Sequence, residues 1–379
     1  MPWQEITIMS QRLEFVVLAG KEGANVARLC RRFGISRKTG YKWLRRFAAS
    51  GEDGLGDRSR RPQRSPAQTA REIEEAILQV RVEHPVWGAR KIRARLVQLQ
   101  HDELPSPSTI TAILQRNQCI APEESEHHRA WQRFEASAPN ELWQMDFKGH
   151  FALVAGRCYP LTVLDDHSRF ALGIRACANQ RGETVQEELT AIFRRYGLPQ
   201  RILVDNGAPW GGGDGYPFTP LTAWLMRLGV QVSHARPYHP QTAGKDERFH
   251  RTLKAEVIAN GVFRDLPDSQ VHFERWRYIY NFQRPHDALH LAVPASRYHA
   301  STRDFPEVLP PIVYGPGDIV RKVQTGGDIN FQGRLLHVPK AFAGYHVALR
   351  PTTLDGVYNA FFCQQRIAQI DLSAHNEDP

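Results

Sequence analysis

The spacing of apolar residues changes from helical to strand-like and back along the chain of 379 residues. Residues 10–48 have helical spacing, in which apolar side chains recur every three or four positions. Val26–Phe33 predicts one helix, Gly34 a turn, and Ser36 the N-cap of a second helix that runs to Arg46. Residues 1–50 are therefore expected to form a helix-turn-helix domain. Its apolar core would come from Leu29, Ile35, Tyr41 and Leu44.

In a helix-turn-helix, the start of the second helix reads base edges in the major groove of DNA. The candidate DNA-binding residues on this helix are Ser36, Arg37, Lys38, Tyr41 and Lys42. A helical hairpin that only packs against the rest of the protein stays open as an alternative.

Residues 51–68 are rich in Gly, Asp, Arg, Pro and Ser, which predicts a basic linker. Its arginines could serve solubility alone or lie in a minor groove as a DNA-binding arm. The arginines concerned are Arg58, Arg60 and Arg61.

Residues 69–118 return to helical spacing and predict a second helix-turn-helix domain. Ile73–Val80 belongs to its first helix, Trp87–Ile92 opens the second, and Pro105–Ile110 caps the third. Arg90 and Lys91 are its candidate DNA contacts. Residues 119–138 are interpreted as another linker.

From residue 139 the pattern alternates between strands and helices, which predicts an α/β layered domain that ends near residue 301. Three antiparallel strands come first, and helices and two further strands follow. The predicted strands are 142–147, 161–164, 170–176, 202–204 and 231–233, and the predicted helices are 184–196, 220–228 and 269–282.

Two of these strands lead to carboxylates. Asp146 lies on the first strand, and Asp205 follows the fourth, where the crevice at the carboxyl end of a strand often binds a ligand. Each residue alone is more typical of a surface strand or a turn. Asp165 and Asp166 form a rival pair, but neighbours in a turn are usually solvated, so a metal role is disfavoured.

Residues 239–254 predict a turn that feeds a helix, with Thr242 or Gly244 as N-cap. Phe249, Leu253 and Val257 would form its buried stripe. The opposite face would carry Glu247, Arg251 and Lys254. A carboxylate one turn from two cations suits a metal ligand beside phosphate contacts, although such a pair is commonly only a solvated helix pair.

Four motifs occur in an order that resembles the integrase core of bacterial insertion-sequence transposases, the DDE enzymes related to retroviral integrases. They are Trp143-x-x-Asp146, Val204-Asp205-Asn206-Gly207, His239-Pro240-Gln241-Thr242-x-Gly244-Lys245-x-Glu247-Arg248-x-His250-Arg251-Thr252-Leu253, and Tyr280-Asn281-x-x-Arg284-Pro285-His286-x-Ala288-Leu289. The resemblance implies a ribonuclease-H-like catalytic domain with Asp146, Asp205 and Glu247 as metal-binding, catalytic carboxylates. Lys245 and Arg248 join Arg251 and Lys254 as candidate DNA contacts.

The chain departs from the family in two places. The Asp205–Glu247 interval is longer than in the shorter relatives, and the glycine-rich residues 210–216 account for the excess. Ala243 stands where many relatives carry Asn. Neither departure replaces a metal-binding carboxylate.

Three carboxylates in one crevice repel each other, and divalent cations relieve that repulsion. Oxygen ligands favour Mg²⁺ or Mn²⁺. Two ions about 3.5–4 Å apart can activate the attacking oxygen and stabilise the leaving one in phosphoryl transfer. The resemblance implies that Asp146 bridges both ions, with Asp205 and Glu247 each holding one.

Residues 310–372 switch to a period of two and resemble the small β-barrel that follows many integrase cores. Predicted strands are 319–323, 335–338, 345–349 and 360–363. A role in DNA contact, in contact between protomers or in capping the core stays open.

The net charge of +9 and a pI near 9.4 predict a polyanionic partner. The sequence has no signal-like start and no apolar run of about 18 residues, so nucleic acid is favoured over a membrane. Five scattered cysteines without a CxxC motif indicate a reducing cytoplasm and exclude a disulfide framework.

The resemblance, together with the basic composition, implies a bacterial, nucleoid-associated transposase. It would bind the terminal inverted repeats of its element as at least a dimer, cleave their 3′ ends and join them to target DNA. A non-catalytic DNA-binding regulator and a plain ribonuclease-H-like nuclease are the alternatives.

Overall fold

The computed structural model describes residues 7–58, 69–120, 135–211, 217–234, 240–259 and 261–372. The contacts between residues divide the chain into two compact units, Met1–Gln68 and Thr69–Pro379. The predicted linker residues Arg60 and Arg61 lie outside the described residues. Within the described parts, no helix is both long enough and apolar enough to cross a membrane.

The described part of the N-terminal unit contains three α-helices, and the second and third form the predicted helix-turn-helix. Gly34 takes a positive φ of 63° in the turn between them, and the Ser36 hydroxyl accepts a hydrogen bond from the Thr39 amide at 3.1 Å. The third helix continues beyond the predicted end at Arg46. The helices are α1 (Ile8–Ala19), α2 (Val26–Arg32) and α3 (Arg37–Ser50).

The core of this unit differs from the prediction in two ways. Tyr41 was expected in the core, but its position on α3 leaves it 53% exposed, while Trp43 is buried. Residues Gly51–Leu55, expected in the linker, form a 3₁₀ helix whose Leu55 is fully buried. Gly40 permits close packing, because a Cβ there would lie 2.5 Å from the sulfur of Cys30.

The second helical region packs three helices around Ile77, Trp87 and Ile92, all of which are fully buried. Ile279 of the catalytic domain packs against the same cluster, so this region contacts the core. Its helices are α4 (Arg71–Glu83), α5 (Ala89–Gln98) and α6 (Pro107–Arg116).

The centre of the larger unit is a mixed sheet with strand order β2-β3-β1-β5-β6, in which β4 pairs with β3. The β1, β3 and β4 pairings are antiparallel, as predicted, whereas β5 and β6 continue the sheet in parallel with β1. The strands are β1 (Leu142–Phe147), β2 (Phe151–Ala152), β3 (Arg157–Asp165), β4 (Ala171–Cys177), β5 (Arg201–Val204) and β6 (Gln231–His234).

Helices bury both faces of this sheet. Trp143 packs in one cluster with Phe193, and Ile174 packs in another with Phe249 and Phe273. The helices are α7 (Gly182–Tyr196), α8 (Pro220–Arg227), α9 (Pro240–Leu253) and α10 (Leu266–Phe282), and a π-helical turn at Lys254–Ile258 continues α9. The N-cap prediction was wrong: α9 already begins at Pro240, so Gly244 lies inside the helix.

The fourth motif attaches α10 to the sheet. Asn281 accepts a hydrogen bond from the Ala171 amide at 2.8 Å and donates one to the Ala171 carbonyl at 2.9 Å, as a neighbouring strand would. Arg284 forms a buried ion pair with Glu256 of the π-helical turn at 3.0 Å. The motif therefore joins β4, α10 and the end of α9.

The C-terminal region contains antiparallel sheets, and its described residues do not form the closed sheet that would confirm the predicted small β-barrel. Within the described residues, one sheet has the order β12-β11-β10-β7, and β8 pairs only with β9. The apolar cluster of the C-terminal region includes Ala223 and Met226 of α8. This contact connects the region to the catalytic domain. The strands are β7 (Ile319–Lys322), β8 (Asp328–Phe331), β9 (Arg334–His337), β10 (His346–Pro351), β11 (Val357–Phe362) and β12 (Gln365–Asp371).

Candidate active site

Asp146 and Asp205 lie side by side at one edge of the sheet. Strands β1 and β5 are parallel, and Gln144 is in register with Leu203. Continuing that register by two residues brings Asp146 opposite Asp205, which directly follows the end of β5. This edge is where the crevice of an open α/β sheet binds ligands.

The surroundings of both carboxylates disfavour their charge. Burial, and then repulsion from Asp205, raise the pKa of Asp146 to about 6. Burial also raises the pKa of Asp205, although the Gly207 amide donates to its Oδ1 at 3.2 Å and opposes the shift. Within the described residues, neither forms an ion pair with a lysine or arginine. Paired oxygen ligands without a cationic side chain fit a hard divalent cation.

Helix α9 presents two adjacent carboxylates to different surroundings. Glu247 lies on the exposed α9 face with Arg251 and Lys254. Asp246 is buried, and its Oδ1 has no hydrogen-bond partner among the residues that the structure describes. Burial, followed by repulsion from Asp146 and Asp166, raises the pKa of Asp246 well above its usual range.

The structure thus brings Asp146 and Asp205 together and places Glu247 on the solvent side of α9. Among the described residues, no three His, Cys, Asp or Glu side chains are close enough to hold a metal ion.

His250 approaches Asp146 from α9. Its Nδ1 lies 3.9 Å from Asp146 Oδ2, and its Nε2 lies 2.7 Å from the Thr162 hydroxyl. Thr162 donates to the Asp146 carbonyl at 3.0 Å. Burial, and then the charge of Lys148, lower the pKa of His250 to about 4, so the imidazole is neutral. Sequence analysis gave His250 a place in a motif but no role.

Lys245 does not face solvent as a DNA contact would. Its ammonium forms an ion pair at 2.5 Å with Asp166, whose side chain is fully buried. Gln144 also donates to Asp166, at 2.6 Å. Asp165 is likewise buried and accepts hydrogen bonds from Ser168 and Asn140. The expectation that Asp165 and Asp166 are solvated was wrong, because both carboxylates tie the turn to its neighbours.

Several cations surround this edge. Arg248, Arg251 and Lys254 are exposed on α9 and its continuation, as DNA contacts require. Lys148, which sequence analysis missed, follows Asp146 by two residues; burial and the charge of Lys254 lower its pKa. Strand alternation, which puts residues i and i+2 on one face, was the available signal.

The two candidates on α5 contact the catalytic domain. Arg90 and Lys91 lie 3.3 and 3.9 Å from the carboxylate of Asp287. The Arg90 side chain is 72% exposed, whereas that of Lys91 is only 19% exposed. Lys91 therefore lies at a contact within the chain rather than on an open surface.

The candidates on α3 remain at the surface. Arg37, Lys38, Tyr41 and Lys42 are exposed, and the Lys42 ammonium lies 4.1 Å from the centre of the Trp43 ring. Ser36 is exposed but engaged in capping α3. Arg58 is exposed at the end of the described part of this unit.

Family models match the chain in the same order as these domains. A model described as the IS481 family transposase C-terminal domain matches residues 318–378, and two integrase core domain models match residues 136–240 and 228–294. A helix-turn-helix model matches residues 11–63, and a homeodomain-like model matches residues 39–114.

The chain is similar to proteins of insertion elements and retroviruses. It is 28% identical over 178 residues to the 31.7 kDa protein of insertion element IS407 from Burkholderia multivorans, covering 46% of this chain and 62% of that protein. It is 28% identical over 170 residues to the 39.2 kDa protein of IS476 from Xanthomonas euvesicatoria, covering 44% of this chain and 46% of that protein. The Gag-Pro-Pol polyprotein of Mason-Pfizer monkey virus is 31% identical over 122 residues, which cover 31% of this chain and 6% of that polyprotein. The matches thus span less than two thirds of these relatives.

Solved structures of retroviral integrases also match. A simian T-cell lymphotropic virus intasome in complex with a PP2A regulatory subunit has a TM-score of 0.38 at 14% identity, covering 78% of this chain and 99% of that chain. The HTLV-2 integrase catalytic core domain in complex with magnesium, in its dimeric form, has a TM-score of 0.33 at 17% identity, covering 43% and 99%.

Proposed function

We propose, because the chain carries the integrase core of the insertion-sequence transposases, that it cuts and joins DNA at the ends of a mobile element. The observation that carries this proposal is the meeting of Asp146 and Asp205 at the ends of two parallel strands. Burial raises the pKa of both carboxylates, and repulsion from Asp205 adds to the shift of Asp146, as expected of a site that binds a divalent cation.

Asp146, Asp205 and Glu247 would hold Mg²⁺ or Mn²⁺, two ions in all. When bound, the ions supply activation of the attacking oxygen and stabilisation of the leaving oxygen. Asp146 and Asp205 would keep these ions at the sheet edge, since both carboxylates lie there. Glu247 would approach from α9, where the exposed face also carries Arg251 and Lys254 for the flanking phosphates.

The reaction we propose has two phosphoryl transfers at this one site. In the first, water attacks the phosphodiester at each element end and releases a 3′-hydroxyl. In the second, that hydroxyl attacks a target phosphodiester, so one new phosphodiester forms as one breaks. Both transfers need the same in-line geometry, which is why one set of carboxylates serves both.

Recognition of the element ends would fall to the helix-turn-helix regions. Arg37, Lys38 and Lys42 line the exposed side of α3, and the net charge of +9 favours DNA generally. Arg58, Arg60 and Arg61, in the linker that connects these regions, would add contacts to DNA. Two ends must be held together, so we propose at least a dimer on DNA, acting at the nucleoid in the bacterial cytoplasm.

A non-catalytic regulator derived from a transposase is the second candidate. The exposed position of Glu247 favours it, because a third ligand is not gathered with Asp146 and Asp205 in the described residues. Such a regulator would bind the element ends without cutting them.

The decisive experiment is a strand-transfer assay. A labelled duplex that bears the terminal repeat is mixed with a supercoiled plasmid and Mg²⁺ or Mn²⁺, and wild type is compared with Asp205→Asn. We expect label to join the plasmid only with wild type and metal. Tight binding to the repeat without cutting or joining under both metals would favour the regulator.

The adjacent carboxylates Asp246 and Glu247 on α9 allow a variant of the proposed metal ligand to be compared with a matched control variant. Glu247→Gln should abolish cutting and joining while end binding stays intact, because a metal ligand is lost. Asp246→Asn should retain both reactions. The reverse result would assign the third ligand to the buried Asp246.

A further inference from the structure

We propose that His250 and Thr162 form a hydrogen-bonded support that positions Asp146 for metal binding. This inference rests on the proposed function, since it concerns the same metal site. His250 acts through Thr162 on the main chain at Asp146, and its ring faces the Asp146 carboxylate.

Hydrogen-bond accounting points to one tautomer of the imidazole, because the tautomer decides whether Thr162 or His250 Nε2 donates in their contact. The Thr162 hydroxyl has one hydrogen, which it donates to the Asp146 carbonyl at 3.0 Å. The 2.7 Å contact with His250 Nε2 must then be donated by the imidazole. A neutral imidazole carries one hydrogen, so its Nδ1 is left with a lone pair.

That tautomer keeps the carboxylate available. Nδ1 is the ring atom that faces Asp146, 3.9 Å from Oδ2. A ring nitrogen without hydrogen cannot donate to the carboxylate, so it does not compete with a cation for the Asp146 oxygens. A reversed tautomer would present an N–H to the same oxygen and hold it away from the metal.

The support also joins two elements of the site. Thr162 lies on β3 directly opposite Asp146 on β1 and is 1% exposed. The His250 side chain is 13% exposed on α9. The contact therefore fixes the distance between Asp146 and the helix that carries Glu247. Groups that orient metal ligands in this way affect metal affinity without touching the metal.

The test measures the ring state and the metal affinity of the full-length protein. Long-range ¹H–¹⁵N NMR of the metal-free protein should show the Nε2–H tautomer for His250. Electron paramagnetic resonance titration with Mn²⁺ should then show affinity about 10-fold or more weaker in Thr162→Val, because the hydroxyl link is lost. Thr162→Ser keeps the hydroxyl and should retain both the tautomer and the affinity.

Variants of the imidazole provide the second arm. The amide of His250→Gln can still donate to Thr162, so this variant should bind Mn²⁺ better than His250→Ala. Binding to the DNA ends and thermal unfolding monitor the fold. An Nδ1–H tautomer, unchanged Mn²⁺ affinity in Thr162→Val, or equal loss in Thr162→Ser would overturn the inference alone. Failure of wild type to bind Mn²⁺ would overturn the proposed function and this inference with it.

Discussion

At the scale of single residues, the charge of Asp146 is the most informative property of the site. Its pKa of about 6 means that the metal-free folded protein holds this proton more tightly than the unfolded chain does. Metal-free stability should therefore fall as the pH rises from about 4 to about 6. A bound cation would remove this loss of stability, because it would stabilise the charged form of Asp146.

Asp146→Asn should consequently stabilise the metal-free protein at pH 8. The gain should be about 1 kcal/mol, since solvent screens a side chain that is partly exposed, and most of it should vanish at pH 4. Urea unfolding at both pH values measures the difference. Exposed Asp355→Asn is the control and should change neither value. Equal stability of Asp146→Asn and wild type at pH 8 would mean that neither burial nor repulsion from Asp205 disfavours the charge of Asp146.

Residue chemistry could be predicted where it depends on local pattern. Asp146 and Asp205 were identified because strands lead to them, and their parallel pairing then brought them together. The burial of Lys245 could not be predicted, because its partner Asp166 is 79 residues away along the chain. The spacing of residues along a helix predicts which of them share a face. It does not predict which side chain from a distant part of the chain contacts that face.

At the scale of elements, α9 also has some features that the local sequence pattern predicted and others that it did not. Its buried stripe of Phe249 and Leu253 and its exposed Glu247, Arg251 and Lys254 follow the predicted helical period. Its start at Pro240 was not predicted, because Thr242 or Gly244 was expected to be the N-cap and both lie within the helix. The family resemblance, which the family models and relatives confirm, supplied the motif order but not this geometry.

The helix offers a direct comparison between an anchoring and a DNA-binding cation. Lys245→Met should lower the free energy of unfolding by about 3 kcal/mol, because it leaves the buried Asp166 without its cation. Arg251→Ala should leave stability unchanged and reduce the slope of log affinity against log salt by about one. Denaturant unfolding and DNA binding at several salt concentrations measure the two effects. Normal stability with a reduced salt slope in Lys245→Met would restore the original DNA-contact prediction.

At the scale of the whole molecule, the second helical region and the catalytic domain meet through charges that sequence analysis assigned to DNA. Burial, and then the charge of Arg284, lower the pKa of Lys91 to about 8, while Asp287 opposes the shift. The folded protein therefore binds the Lys91 proton less tightly than the unfolded chain. Stability should rise as the pH increases from about 8 to about 10.5.

Lys91→Met should remove this penalty and stabilise the protein at pH 7 by on the order of 2 kcal/mol. It should also flatten the rise in stability above pH 8, while affinity for the element ends stays at the wild-type value. Arg90→Met is the matched control; its exposed side chain pairs with the same Asp287, so stability should change by less than about 0.5 kcal/mol. If Lys91→Met instead weakens end binding and lowers its salt slope without a gain in stability, Lys91 contacts DNA. The second helical region would then have to leave Asp287 when the protein binds an element end.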